Sequence, residues 1–228
     1  MAPQIKTLIV GKDNTEVVLN QIAAILTLES TGQQALARVS PTADVNDYIL
    51  RVFLERAAPW GAFDDSPNAS RLTNTPVINV TFASSSYDMS RSMSVGQQMC
   101  IGIFNIDCYA YQCATRASDG SWTPGDENAS AEALRAARMC RNILMAGIYT
   151  YLGMQGIVAR RYVQGFTLFQ PAQDYHAVVN ITAARLALQV EYLECAPQVQ
   201  GVPLQSLALQ VTRASDGQLI AESDTSFT

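Results

Sequence analysis

Histidine is nearly missing from this chain of 228 residues, where His176 stands alone. Lysine is almost as scarce, with only Lys6 and Lys12. One imidazole confines any Cys–His nucleophile pair to a single position. Two lysines close to the N-terminus argue against a lysine nucleophile. No spacing of His, Cys, Asp and Glu matches a zinc site, and neither a phosphate-cradling loop nor a dinucleotide glycine fingerprint occurs. Gly147, Gly153 and Gly156 scatter around a predicted helix end instead. Carboxylate pairs are few. Asp64 and Asp65 adjoin in a polar stretch, and Glu191 and Glu194 have opposite strand parity, so neither pair is built for acid–base work. His176 opens a long strand beside Tyr175, a place for a surface or hydrogen-bonded histidine. These absences point away from an enzyme, a metal and a cofactor. Two other classes stay open. One is an enzyme pairing Cys113 or Cys140 with His176. The other is a small-molecule or carbohydrate-binding module, which needs a concave pocket with convergent polar groups.

Charge is also thin. Charged residues make up 15% of the chain, against about 25% in typical globular proteins, while hydrophobic residues reach 48%. Surface destined to be covered by partners reads this way, and so does a bland neutral protein. The net charge of −5 argues against a nucleic-acid coat, which needs a basic footprint. Tyr109 and Tyr111 with Arg160 and Arg161 are read as cross-strand packing rather than base stacking. No apolar run approaches the ~18 residues of a membrane span. The first dozen residues lack the basic-then-apolar design of a signal peptide, so the protein is expected to act where it is made. The cysteine count is odd, at five, and buried free thiols are expected rather than disulfides.

What is present alternates between helical and strand periodicity, and one domain over 1–228 is expected. Val18, Ile22, Ile25 and Leu26 recur at helical spacing, and Leu36 extends that face. They predict an N-terminal helical part over 13–38, capped by Asp13 or Asn14, with Gly32 as a break. Residues 47–56 lean to a strand or extended arm on their β-branched and aromatic content. Segments 61–75 and 84–98 read as long polar loops. Between them, 76–83 alternates as a half-buried strand. Residues 99–115 form the longest strand-like run, with Cys100, Phe104, Ile106, Cys108 and Ala110 on one face. Thr123 as cap and Pro124 at the first helical position start a main helix over 124–152. Its stripe is Ala133, Ala137, Cys140, Leu144, Ile148 and Tyr151. Arg135, Arg138 and Arg141 lie off the stripe, as solvated charges or as contacts for an acidic partner. C-terminal strands fill 156–221, with a bulge at Gly165. Leu186, Leu188, Val190 and Tyr192 point inward, and Asp216-Gly217 turns a terminal hairpin.

Several strings give the chain a family likeness. They are Pro76-Val77-Ile78-Asn79-Val80, Phe104-Asn105-Ile106-Asp107-Cys108-Tyr109, Gly125-Asp126-Glu127 and Arg141-Asn142-Ile143-Leu144-Met145. Arg160-Arg161, Phe169-Gln170-Pro171 and Leu188-Gln189-Val190-Glu191-Tyr192 complete the set. In order, spacing and flavour, the stretch from about Asn14 to Gly217 resembles the tail-terminator (neck) proteins of long-tailed bacteriophages. The resemblance implies an α/β (α+β) fold, with a mixed, mostly antiparallel sheet and helices packed on one face. An extended loop or arm and a C-terminal hairpin complete it. It implies a structural virion protein without cofactor, assembled in the bacterial cytoplasm. Such proteins form rings, usually hexameric, on the end of the tail tube, stopping tube polymerisation and joining the tail to the head connector. The implied partners are other copies of the chain, the tail tube protein, the connector or adaptor protein and, in contractile relatives, the final sheath ring. DNA passes through the lumen without specific binding. A head-completion adaptor, or another tail-completion subunit of the neck, is the alternative. Candidate contact segments are 61–75, 84–98, 112–122 and the C-terminal hairpin; Trp60 and Trp122 border them and are candidate interface anchors, beside Arg135, Arg138 and Arg141.

Overall fold

The computed structural model describes residues 12–63, 74–92, 96–171 and 180–195, and the backbone alone of 206–212 and 219–226. The chain divides into two compact units, Lys12–Cys195 and a smaller one that holds the C-terminal residues.

In the larger unit, helix α1 (Asn14–Val39) leads into a 3-10 turn at Val45–Tyr48 and strand β1 (Arg51–Leu54). A second 3-10 turn, Pro59–Phe63, precedes β2 (Val77–Asp88) and β3 (Gln97–Tyr111). The short β4 (Thr115–Arg116) and β5 (Trp122–Thr123) pair as a minor hairpin before α2 (Gly125–Leu144). Then come β6 (Val158–Phe169) and β7 (Ile181–Cys195). The main sheet has five strands in the order β1-β2-β3-β7-β6. Only β1 and β2 run parallel; every other pairing is antiparallel. The smaller unit contains β8 (Ser206–Thr212) paired antiparallel with β9 (Leu219–Ser226). The expected C-terminal hairpin is therefore present, and it extends past Ala221. The expected Asp216-Gly217 turn lies outside the described residues.

Alternation along β3 and β7 decides where the core sits. Phe104, Ile106 and Cys108 stand opposite Leu188, Leu186 and Ala184, all fully buried. Both helices pack on this face. Val18, Ile22 and Leu26 of α1 join Ala133, Ala137, Cys140 and Leu144 of α2 in one cluster with those strand residues. Each fully buried Leu or Ile contributes roughly 1.5–3 kcal/mol by leaving water, so this layer dominates the fold. A smaller cluster forms on the opposite face from Phe63, Val77, Tyr109, Ile181 and Ala183. The expectation of a mixed, mostly antiparallel sheet with helices on one face holds.

Several local expectations are corrected. Gly32 does not interrupt α1, which is continuous; nothing packs where a side chain at Gly32 would stand, and the flanking turns carry the helix through. Leu36 is exposed and Ala37 takes the buried place. Asp13 caps the helix through Glu16 N–H at 2.7 Å, as expected. Thr123 does not cap α2: Pro124 holds the cap position without a side-chain bond. The main helix ends at Leu144 rather than 152, because Arg161 of β6 reaches its last turn. Arg161 Nε donates to the Leu144 carbonyl at 2.6 Å and Nη2 to the Ala146 carbonyl at 2.9 Å. A cation on two carbonyls at a helix C-terminus satisfies acceptors that the helix cannot and complements its dipole. Ile148 and Tyr151 consequently leave the stripe and are exposed. Residues 84–88, read as the start of a loop over 84–98, continue β2, and Gln97 and Gln98 already belong to β3. The serines broke the apolar alternation because neither face is buried there. Of the expected loop 61–75, Gly61–Phe63 belong to the 3-10 turn, with Ala62 and Phe63 buried. Residues 64–73 lie outside the described residues. The bulge expected at Gly165 is present as a register shift between Val163 and Gly165.

Candidate interaction surfaces

The five residues singled out from sequence do not converge. Trp60 sits in the Pro59–Phe63 turn with its ring 6.0 Å from that of Tyr109, tilted by 55°. It packs onto the smaller cluster, held by the path of the chain leaving β1. That path turns at Glu55, whose φ is +48°. Two side chains fix it there. Asn79, 3% exposed, accepts the Arg56 N–H at 3.0 Å and donates to the Arg56 carbonyl at 2.9 Å. The Glu55 carboxylate accepts the Phe82 N–H at 2.7 Å. Trp60 is half-buried, with one side of its ring packed beside Tyr109 within the subunit. Trp122 differs: it lies on the β4–β5 hairpin and is 65% exposed.

Arg135 and Arg138 line one groove of about 600 Å³, formed by α1, the Val45–Tyr48 turn, α2 and the turn after it. Arg135 is engaged there. Its guanidinium binds the Glu132 carboxylate and the Asp47 carbonyl. The hydrogen bond to Glu132 raises its pKa above the ordinary value. Tyr149 donates to the Glu29 carboxylate across the same groove. Arg138 is exposed, and its Nε donates to the Leu134 carbonyl one turn back at 3.3 Å. Arg141 is exposed and is not among the groove's lining residues. The groove therefore presents cations and acids together, with Arg135 paired to Glu132 and Glu29 hydrogen-bonded by Tyr149.

On the sheet face away from the helices, Asp107 and Arg185 stand directly opposite across β3 and β7. Arg185 Nε and Nη2 bind the two Asp107 oxygens at 2.7 and 2.8 Å. The guanidinium also lies 5.1 Å from the centre of the Phe169 ring. Nearer the other end of the sheet, Arg91 binds Glu191 at 2.7 Å. The first pair is a cross-strand link, and the second ties the turn after β2 to β7. Sequence reasoning missed them because the register that brings Asp107 to Arg185 has no local signature.

All five cysteines are free; Cys100, Cys108 and Cys140 are buried, Cys195 is half-buried and Cys113 is exposed. The Cys108 and Cys140 sulfurs touch at 3.9 Å between β3 and α2, and burial pushes the Cys108 thiol up. The His176 alternative cannot be located, since residue 176 lies outside the described residues. Among the described residues no group of three or more His, Cys, Asp or Glu could hold a metal ion. Among them, too, no helix is long and apolar enough to cross a membrane.

The main sheet also leaves two rims open among the described residues. On one side β1 pairs β2 only from Val77 to Val80, leaving the rest of β2 as an edge. On the other, β6 runs twelve residues as the last strand of the sheet. Large apolar side chains stand exposed at both, Phe82 and Tyr87 on β2 and Tyr162, Phe166 and Leu168 on β6. The serine-rich sequence of the first rim concealed it. A scan against models of known protein families matches none, and a search of curated proteins finds no relative.

Proposed function

We propose that this chain is a structural subunit that forms a ring at the end of a bacteriophage tail tube, ends tube polymerisation there and joins the tail to the head connector. The proposal starts from the sequence resemblance over Asn14–Gly217. The observation that carries it further is the layout of the sheet. Both helices lie on one face, as that resemblance implies, and both rims carry exposed apolar side chains. A subunit that closes a ring needs two unlike lateral surfaces, and two unlike rims supply them. Low charge suits surfaces that become buried between subunits. The acidic balance suits a lumen through which DNA slides without sticking.

Electron microscopy of particles assembled without this chain tests the reading. Overlong tubes of indefinite length are expected. Tails of normal length that fail to attach to heads would instead assign the chain to a head-completion adaptor. Normal, attached tails would remove it from the neck altogether.

A further inference from the structure

We propose that neighbouring copies of this chain join rim to rim, the outer edge of β6 in one copy pairing with β2 beyond Phe82 in the next, so that the sheet continues through the junction. This deepens the ring-forming reading above and rests on it. Four observations support it.

Both rims have main-chain groups without a strand partner among the described residues. β1 covers β2 only as far as Val80, and Glu55 then takes the Phe82 N–H. Beyond that point Ser84–Asp88 pairs with β3 on one side alone. β6 pairs with β7 on one side alone. An open edge of this length is a template for another strand unless something blunts it. The free part of β2 is about one ordinary strand long.

Both rims are apolar on the same face. Phe82 stands opposite Phe104 and Tyr87 opposite Cys100. At the far rim Phe166 stands opposite Leu186 and Leu168 opposite Ala184. Phe104, Cys100, Leu186 and Ala184 all belong to the helix-side core. The four rim side chains therefore lie on the helix side too, with exposures of 37, 49, 39 and 48%. Continuing the sheet across a junction places Phe82 and Tyr87 of one copy in the same layer as Phe166 and Leu168 of the next. A register that faced them oppositely would set apolar against polar.

The rims also differ in charge. β6 carries Arg160 and Arg161 and no acid, whereas the free part of β2 carries Asp88, with Arg91 4.0 Å from it in the turn beyond and Glu55 beside Phe82. Arg161 is turned to the end of α2, which leaves Arg160 exposed for the partner. Opposite charges steer β6 toward β2 and away from a second β6.

Finally, the two rims are different surfaces on opposite sides of one sheet. Contact between unlike surfaces is heterologous. It propagates from copy to copy and terminates only by closing a ring.

The test uses two rim variants, Tyr87→Lys and Leu168→Lys, because an added lysine blunts an edge and both positions are already half exposed. A circular dichroism spectrum that matches the wild type, with a cooperative unfolding transition, establishes that each variant folds. Light scattering after size exclusion is expected to give a closed oligomer for the wild type and a monomer for each variant at the same concentration. An equal mixture of the two variants recovers a dimer, since one copy keeps its β6 rim and the other its β2 rim. Variants that assemble like the wild type overturn the rim assignment and leave the ring-forming reading standing. A dimer from one variant alone means like pairs with like and overturns it too. A wild type that is monomeric at every concentration also overturns the rim inference, and the terminator reading is then judged on tail length alone.

Discussion

Replacing Asn79 by alanine isolates the contact that sets the exit from β1. Asn79 closes both main-chain groups of Arg56, at 3.0 and 2.9 Å, from a side chain only 3% exposed. Truncation leaves a donor and an acceptor without their partner in a half-buried place. A fully buried unsatisfied group costs ~1–3 kcal/mol. Arg56 is only half-buried, so water recovers part of each loss and the low end applies, about 2 kcal/mol for the pair. For a chain of this size, ~2–4 °C of melting temperature goes with each kcal/mol, giving a fall of about 4–8 °C. The same change loosens the Pro59–Phe63 turn, which sets Trp60 against Tyr109. The assay is thermal unfolding by circular dichroism, combined with tryptophan emission in a Trp122→Phe background so that only Trp60 reports. Alanine is expected to lower the midpoint and shift Trp60 emission to the red before global unfolding. A midpoint within the ~0.5 kcal/mol of ordinary surface substitutions, with Trp60 emission unchanged, would refute this account of the exit.

Three further expectations concern the core and its titratable groups. A side chain at Gly125 would meet the Gln112 carbonyl and Asn180 Nδ2 at 2.6 Å, and one at Gly102 would meet the rings of Phe104 and Tyr192 at 2.9 Å. Gly125→Ala and Gly102→Ala should each cost ~1–3 kcal/mol as overpacking, read by urea denaturation; an unchanged midpoint would contradict the close approach. Burial holds the Glu194 carboxyl above the usual glutamate range, against the Asn14 N–H that it accepts at 3.1 Å. The folded chain then binds that proton more tightly than the unfolded one, so stability declines as pH rises from the unfolded value through the raised folded one. Glu194→Gln should flatten the stability–pH profile in that window, and an identical profile would show that the carboxyl is not raised. With a thiol reagent at neutral pH, Cys113 should react first and Cys195 more slowly. Cys100, Cys108 and Cys140 should react only at the rate of unfolding, and rapid labelling of all five would contradict their burial.

Periodicity made much of the fold legible. The inward faces of β3 and β7 could be read because both strands are buried on the helix side, so their apolar residues recur at every second place. The α1 face and its Asp13 cap were legible for similar local reasons. What escaped was decided by distant residues. The end of α2 depends on Arg161, which arrives from β6 and holds carbonyls that no nearby residue satisfies. The second half of β2 depends on β3 for its pairing, and serines on an exposed rim carry no alternation. For the candidate sites, sequence placed Trp60 beside a polar stretch but could not foresee Tyr109 against its ring. It grouped three arginines on α2, of which only Arg135 and Arg138 share the groove. The rims became visible only with the strand order, because an edge is a property of the sheet and not of the strand.

Cryo-electron microscopy of an isolated phage neck, with this chain located in the density, tests the central claim most directly. A closed ring of this chain between the last ring of the tail tube and the connector is the predicted result. Density for the chain at any other place in the particle, or none at all, would contradict it.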